Sequence, residues 1–353
     1  MIEIHAGKTA AKIINEQGFK PELFTSFLGA SGGPKWFTLF GLDKYIFGEF
    51  FKNRTQPLNL IGSSAGAFRS ACFAQNDPVA AIERLAKSYS QTRYSSNKPT
   101  PNEITIKARA LLEDVFGDNG VTEIINNPTF KAHFIVAKSN GFIASENKLI
   151  QLMGLSKSYM LNRVNRKLLG SQYERFIFGP ATSDLSITDS YNFKTQNIAL
   201  TQNNLKDALL ASGSIPLVMQ GIKNIAGSPQ GIYRDGGIID YHFDLKINNP
   251  GLILYPHFNS EPKAGWFDKN LKRKVSPLNY DNVVMITPSK EFVASLPYGK
   301  IPDRNDFTDL DADTRIKYWN TVLSETEKLA EAFDKKLTVR ENVLDIDYCD
   351  NRK

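Results

Sequence analysis

Cysteine is almost missing: Cys72 and Cys349 are the two in 353 residues. Two thiols cannot build a disulfide framework or a four-thiolate zinc site. No apolar run approaches the ~20 residues that span a bilayer, and no repeat or low-complexity tract suggests a solenoid or a linker-rich chain. The start, Met1-Ile-Glu-Ile-His-Ala-Gly-Lys, carries an early acid and no apolar stretch, so a Sec-type signal is not expected and a cytoplasmic location is. Zinc-finger spacing and RNP-like aromatic motifs are lacking, which argues against a nucleic-acid partner. Calcium loops of EF-hand type are lacking as well, so neither metal nor cofactor is expected. What is present is ordinary globular composition, 41% hydrophobic, 23% charged and 11% aromatic, which excludes wholesale disorder and coiled coil. Lys plus Arg 43 against Asp plus Glu 37 gives +6, a mild bias toward anionic surfaces.

Apolar runs of strand length alternate with helical patterns. Leu23 to Leu28, Pro57 to Ile61, His133 to Ala137, Asn197 to Leu200, Gly251 to Tyr255 and Asn282 to Thr287 read as strands. After Pro34, Phe37, Phe40, Phe47 and Phe51 recur near helical spacing and predict a long helix. Asp311 to Lys336 predicts a late amphipathic helix. This alternation indicates an α/β fold with a mostly parallel sheet between helix layers, whose sites lie just beyond the carboxyl ends of the strands. The chain reads as a single domain spanning 1–353, with Ser260 to Pro277 as a long polar surface excursion.

Gly62-Ser63-Ser64-Ala65-Gly66 fits G-x-S-x-G, with an apolar strand before it and a helical pattern after it. Such a sharp strand-to-helix turn exposes the central hydroxyl. The helix start behind it turns free N–H groups and a positive dipole end toward Ser64. Upstream, Ser31-Gly32-Gly33-Pro34-Lys35-Trp36 repeats the strand–turn–helix plan. Adjacent glycines leave backbone N–H groups unshielded, as an oxyanion hole requires, and Lys35 adds a cation. The Walker spacing for a phosphate loop is not met. Downstream stand Ala211-Ser212-Gly213-Ser214-Ile215-Pro216 and Asp235-Gly236-Gly237. An Asp-Gly-Gly on its own is most often just a turn.

In this chain order the four segments resemble the patatin-like phospholipase family, over roughly residues 23 to 260. The resemblance implies a three-layer α/β/α patatin-like fold with a C-terminal extension, 261–353, of unassigned role. It implies Ser64 as nucleophile and Asp235 as its direct partner, a dyad without histidine. Gly32 and Gly33 would supply oxyanion N–H groups, with Lys35 at the place of a family basic residue. Two positions depart from the family turn, since Ser31 and Trp36 stand where its outer glycines would be. The activity implied is hydrolysis of acyl-lipid esters through an acyl-enzyme. Acyl transfer or thioester cleavage on the same dyad, and lipid binding without turnover, are the alternatives.

A carboxylate near pKa 4 is a weak base for a serine hydroxyl at neutral pH, and burial would raise it into range. The rival arrangement is a Ser-His-Asp triad using His242 or His257. Peripheral contact with an anionic membrane is expected from two segments. In Lys157 to Gly170, Met160, Leu161, Val164 and Leu168 oppose Lys157, Arg163, Arg166 and Lys167. In the second, Gly265-Trp266-Phe267 precedes Lys269, Lys272, Arg273 and Lys274. Oligomeric state is not legible.

Overall fold

Three short segments, Leu58–Ser63, Leu252–Pro256 and Val283–Pro288, are buried at every residue. Continuous aliphatic runs of this kind suit strands covered on both faces. The structure, a computed structural model, describes residues 1–338 and 344–345; Cys349 lies outside the described residues, and Cys72 is buried.

One 11-stranded sheet organises the chain. Its strands are β1 (Ile2–Ala6), β2 (Phe24–Gly29), β3 (Leu58–Ser63), β4 (Phe130–Ser139), β5 (Tyr173–Gly179), β6 (Thr195–Ala199), β7 (Ile222–Lys223), β8 (Ile232–Asp235), β9 (Leu252–Pro256), β10 (Val283–Pro288) and β11 (Leu344–Asp345). They run in the order β11-β1-β10-β9-β2-β3-β4-β5-β6, while β8 pairs with both β4 and β7. The five central strands, β10 through β4, are mutually parallel. Antiparallel pairs flank them, β1 on β10 and β5 on β4. Helix layers complete a three-layer α/β/α fold with a mostly parallel sheet, as the alternation of runs implied.

The helices of the first two-thirds of the chain are α1 (Lys8–Gln17), α2 (Phe40–Tyr45), α3 (Ala65–Phe73), α4 (Pro78–Ser90), α5 (Pro101–Phe116), α6 (Gly120–Asn126), α7 (Lys148–Val164) and α8 (Leu205–Ser212). Local chemistry starts several of them. Asp77 caps α4 by accepting from the Ala80 N–H, and Thr100 caps α5 by accepting from that of Glu103, each followed by a proline. Among the described residues no helix is long and apolar enough to cross a membrane.

Three expectations need correction. The long helix after Pro34 is composite: a 3-10 segment Gly33–Leu39, then α2, then a π-turn Ile46–Phe50. The widened last turn brings Phe47 and Phe51 into the core together, Phe47 stacking on Phe73 at 3.8 Å. The late helix is two, Ala312–Glu325 and Glu327–Thr338. They part where α2 presses on Thr326, whose Oγ accepts the Gly41 N–H at 3.0 Å.

The stretch from Ser260 to Pro277 is no mere surface excursion, because Ala264, Phe267, Asp268 and Val275 are buried. Asp268 receives Arg166 at 2.9 Å and Asn162 at 2.8 Å. Residues beyond 260 also enter the sheet itself, since β10 lies between β9 and β1.

Candidate active site

β4 acts as a common edge for two strands that run into each other. Along one side it pairs in parallel with β3, ending at Ser63↔Ile135. On the next residue of β4 the antiparallel β8 begins its pairing, Asp235↔Val136. The carboxyl ends of β3 and β8 therefore meet, and Ser64 and Asp235 come together across 171 positions. The Ser64 hydroxyl donates to Asp235 Oδ2 at 2.8 Å.

Ser64 sits at φ 52, ψ −128, a region a residue with a side chain occupies only when its surroundings compel it. Close packing supplies the compulsion. α3 passes so tightly over the sheet that a Cβ on Gly66 would lie 1.8 Å from the Gly29 carbonyl oxygen. The Ser64 N–H donates to Ser212 Oγ at 3.0 Å, and that hydroxyl donates to the Ile135 carbonyl at 2.7 Å. The Asp235 N–H donates to the Ser214 carbonyl at 3.0 Å. Thus the Ala211 to Pro216 segment clamps both members of the pair by their backbones. Its sequence signal was visible, but not its partners.

Asp235 is only 6% exposed. Burial pushes its pKa up to about 6, against the opposing pull of the Ser64 hydroxyl, the Gly237 N–H at 2.7 Å, and the charges of Arg304 and Lys269. At that value the carboxylate can accept a proton near neutral pH and return it.

Gly32 and Gly33 line the same small recess as Ser64 and Asp235. Their N–H groups have no hydrogen-bond partner among the described residues. Ser31, which replaces an outer glycine, turns its hydroxyl to Ser63 Oγ at 2.7 Å, and Trp36 is buried. Lys35 is drawn aside: its ammonium pairs with Asp303 at 2.9 Å. Two cations that were not expected at the site line the recess instead, Lys269 and Arg304. The Lys269 ammonium lies 4.2 Å from the centre of the Tyr241 ring. The Arg304 guanidinium has no hydrogen bond or ion pair among the described residues.

Two spaces open on Ser64. The recess, about 20 Å³, is floored by Asp235 and walled by Tyr241 and Trp266. The other is a cleft of about 540 Å³ whose walls include Trp36, Phe68, Leu85, Ile104, Leu111 and Phe307. One space at the hydroxyl is therefore roomy and mostly apolar, the other tight and bordered by Lys269, with Arg304 lining both.

None of the four histidines hydrogen-bonds to either residue. His242 Nδ1 accepts the Lys263 N–H and His257 Nδ1 accepts the Asn259 N–H, each at 2.9 Å. Burial pushes both rings below their usual range, His257 to about 3. His133 meets Ser183 Oγ at 2.6 Å and His5 lies beside Glu3. The triad arrangement has no geometric basis here.

The family model described as patatin-like phospholipase matches residues 44–243. This chain belongs to the patatin-like phospholipase family. No curated protein matches it. The patatin-like match takes in Ser64, Ser212 and Asp235 but begins after Gly32, Gly33 and Lys35. Lys269 and Arg304 also lie outside it, so the cationic wall of this patatin-like site comes from beyond the matched residues. The family is one of lipid acyl hydrolases.

Proposed function

We propose that this protein is a serine acyl hydrolase that cleaves ester bonds of acyl lipids through an acyl-enzyme on Ser64. The observation that carries the reading is the buried 2.8 Å contact between Ser64 Oγ and Asp235 at the foot of an apolar cleft. Asp235 takes the hydroxyl proton as Oγ attacks the ester carbonyl. The oxyanion forms beside the unpartnered N–H groups of Gly32 and Gly33, where each donor contributes roughly 2.7–4 kcal/mol. Asp235 then hands its proton to the departing alkoxide. Water, deprotonated by the same carboxylate, frees the fatty acid. The cleft suits the acyl chain, because its walls are mostly apolar.

A fluorophosphonate probe tests the reading directly. It should label the full chain at one serine, mapped by mass spectrometry to the peptide holding Ser64. An unlabelled chain, or a label on another serine, would overturn it.

The cationic recess bears on the leaving group. Lys269 and Arg304 stand beside Asp235 in the recess, Arg304 bordering the acyl cleft as well, where an anion on the departing alcohol would be held by both. Compared on a monoacylglycerol phosphate and the matching neutral monoacylglycerol, the Lys269→Gln/Arg304→Gln double variant should show about a tenfold or greater fall in the ratio of kcat/KM for the phosphorylated over the neutral ester. Using the ratio cancels the effect that removing two charges has on Asp235. An unchanged ratio would assign the pair a merely structural role.

A further inference from the structure

Helix α7 is inside out. Its buried face is Gln151, Gly154, Leu155, Ser158 and Asn162, a single large apolar side chain among polar and small ones. Each polar member has an inward partner. The Gln151 side chain donates to the Ser145 carbonyl at 2.7 Å, Ser158 Oγ lies 2.9 Å from the Tyr173 hydroxyl, and Asn162 donates to Asp268. Gly154 lets the helix approach so closely that a Cβ there would sit 2.7 Å from the Ile143 nitrogen.

The apolar side chains point the other way. Nine of the thirteen exposed large apolar side chains among the described residues lie between Phe142 and Leu168. Leu149 is 72% and Val164 77% exposed, and Met153 and Met160 are close behind. Lys157, Arg163 and Lys167 share the exposed surface, and no Asp or Glu occurs from residue 147 to 173. The expected opposition of apolar and basic faces is therefore corrected. α7 ends at Val164, Arg166 is buried against Asp268, and both the apolar and the remaining basic groups face outward.

The helix that carries this surface is anchored beside the site through its buried side. The Gln151 side chain accepts the N–H of Leu217, which lines the acyl cleft. At its other end, α7 reaches the segment Trp266–Asp268 through Asn162, and Trp266 lines the cationic recess.

We propose that α7 and the turn after it, residues 148–168, form a docking face for an anionic lipid bilayer, setting the cleft mouth at the membrane. It rests on the acyl-ester reading for its purpose, though not for the binding itself. Apolar side chains in this number would enter the headgroup boundary, and the lysines and arginine would meet anionic headgroups. A second copy of this chain suits the face poorly, because like charges would oppose each other across a two-fold contact.

Vesicle co-sedimentation tests this with the full chain, using phosphatidylcholine vesicles with and without phosphatidylglycerol. The wild-type chain should pellet with the anionic vesicles in low salt and bind them more weakly at high salt. Leu149→Glu/Met153→Glu/Met160→Glu should weaken that binding about tenfold or more. Lys157→Gln/Arg163→Gln/Lys167→Gln should abolish the preference for anionic vesicles and the salt dependence. Because all six side chains are exposed, thermal melting should be unchanged in either variant. If the first unfolds, the second still decides.

Wild-type chain left in the supernatant would overturn the proposal. So would a charge variant that binds as the wild type does. Sedimentation of the wild type as a dimer that the apolar variant splits would assign the face to a second copy instead. Ser64→Ala keeps the docking face intact and should pellet normally, and a wild-type chain that binds the anionic vesicles yet hydrolyses no ester would count against the hydrolase reading alone.

Discussion

Ser64→Ala should lower ester turnover by about 10⁴- to 10⁶-fold while leaving the fold intact. The expectation follows from position. Ser64 is the hydroxyl that both borders the apolar cleft and touches Asp235, and an acyl-enzyme cannot form on a methyl group. Loss on this scale also separates nucleophilic catalysis from simple polarisation of the substrate. The glycine N–H groups would remain in the variant and still stabilise an oxyanion, which accounts for whatever slow hydrolysis survives. Single-turnover measurements on a chromogenic ester, with the melting temperature read alongside, check it. A fall of less than about tenfold would mean that another group carries the attack.

Asp235→Asn should move activity and stability in opposite directions. Turnover should fall by about 10⁴-fold, because an amide cannot take the serine proton. Stability at neutral pH should rise. The carboxyl's pKa is raised from 3.8 to about 6 on folding, so the native chain holds its proton more tightly than the unfolded chain does. Stability from this group is complete below pH ~4 and is lost as pH climbs through about 6. The whole shift corresponds to about 3 kcal/mol. The asparagine variant has no such loss, and its advantage over the wild type should open between pH ~4 and ~6 and stay level above. Denaturant titrations at pH 4 and pH 8 measure it. The same ionisation sets the activity of the wild type, whose kcat/KM should rise about tenfold per pH unit below about 6 and flatten above. A flat profile from pH 5 to 8 would contradict the burial of this carboxyl.

How much of this could be read beforehand depended on how far away each residue's partner lies. The central strands were legible because burial on both faces leaves an unbroken aliphatic run, as in Leu252–Pro256. Strand β8, Ile-Tyr-Arg-Asp, was not, since half of it is charged and its burial depends on β4. The serine turn and the Asp-Gly-Gly turn were visible as motifs, and their order along the chain pointed to the family. Lys35 stands in the glycine turn, but nothing local says that Asp303, 268 positions later, takes its charge. Lys269 lay in a basic run and Arg304 in no pattern at all, so neither could be assigned to the recess. α7 shows the same limit from the other side. Its spacing is helical, yet which face turns inward is decided by Asp268 and Tyr173, which are remote in sequence.

The head-to-head meeting of β3 and β8 on β4 has a consequence for how such a chain can change. The gap between hydroxyl and acid is set by a single peptide unit, Ile135 to Val136, rather than by the length of chain connecting them. Insertions or deletions in the connecting loops and helices, outside the start of α3 and the Ala211 to Pro216 clamp, leave that spacing untouched. A slip of one residue in either pairing would instead carry its side chain about 3.3 Å along and to the opposite face. Variation in reach and substrate fit can therefore accumulate in the connections, while three short stretches of backbone act as the gauge that keeps the chemistry in register.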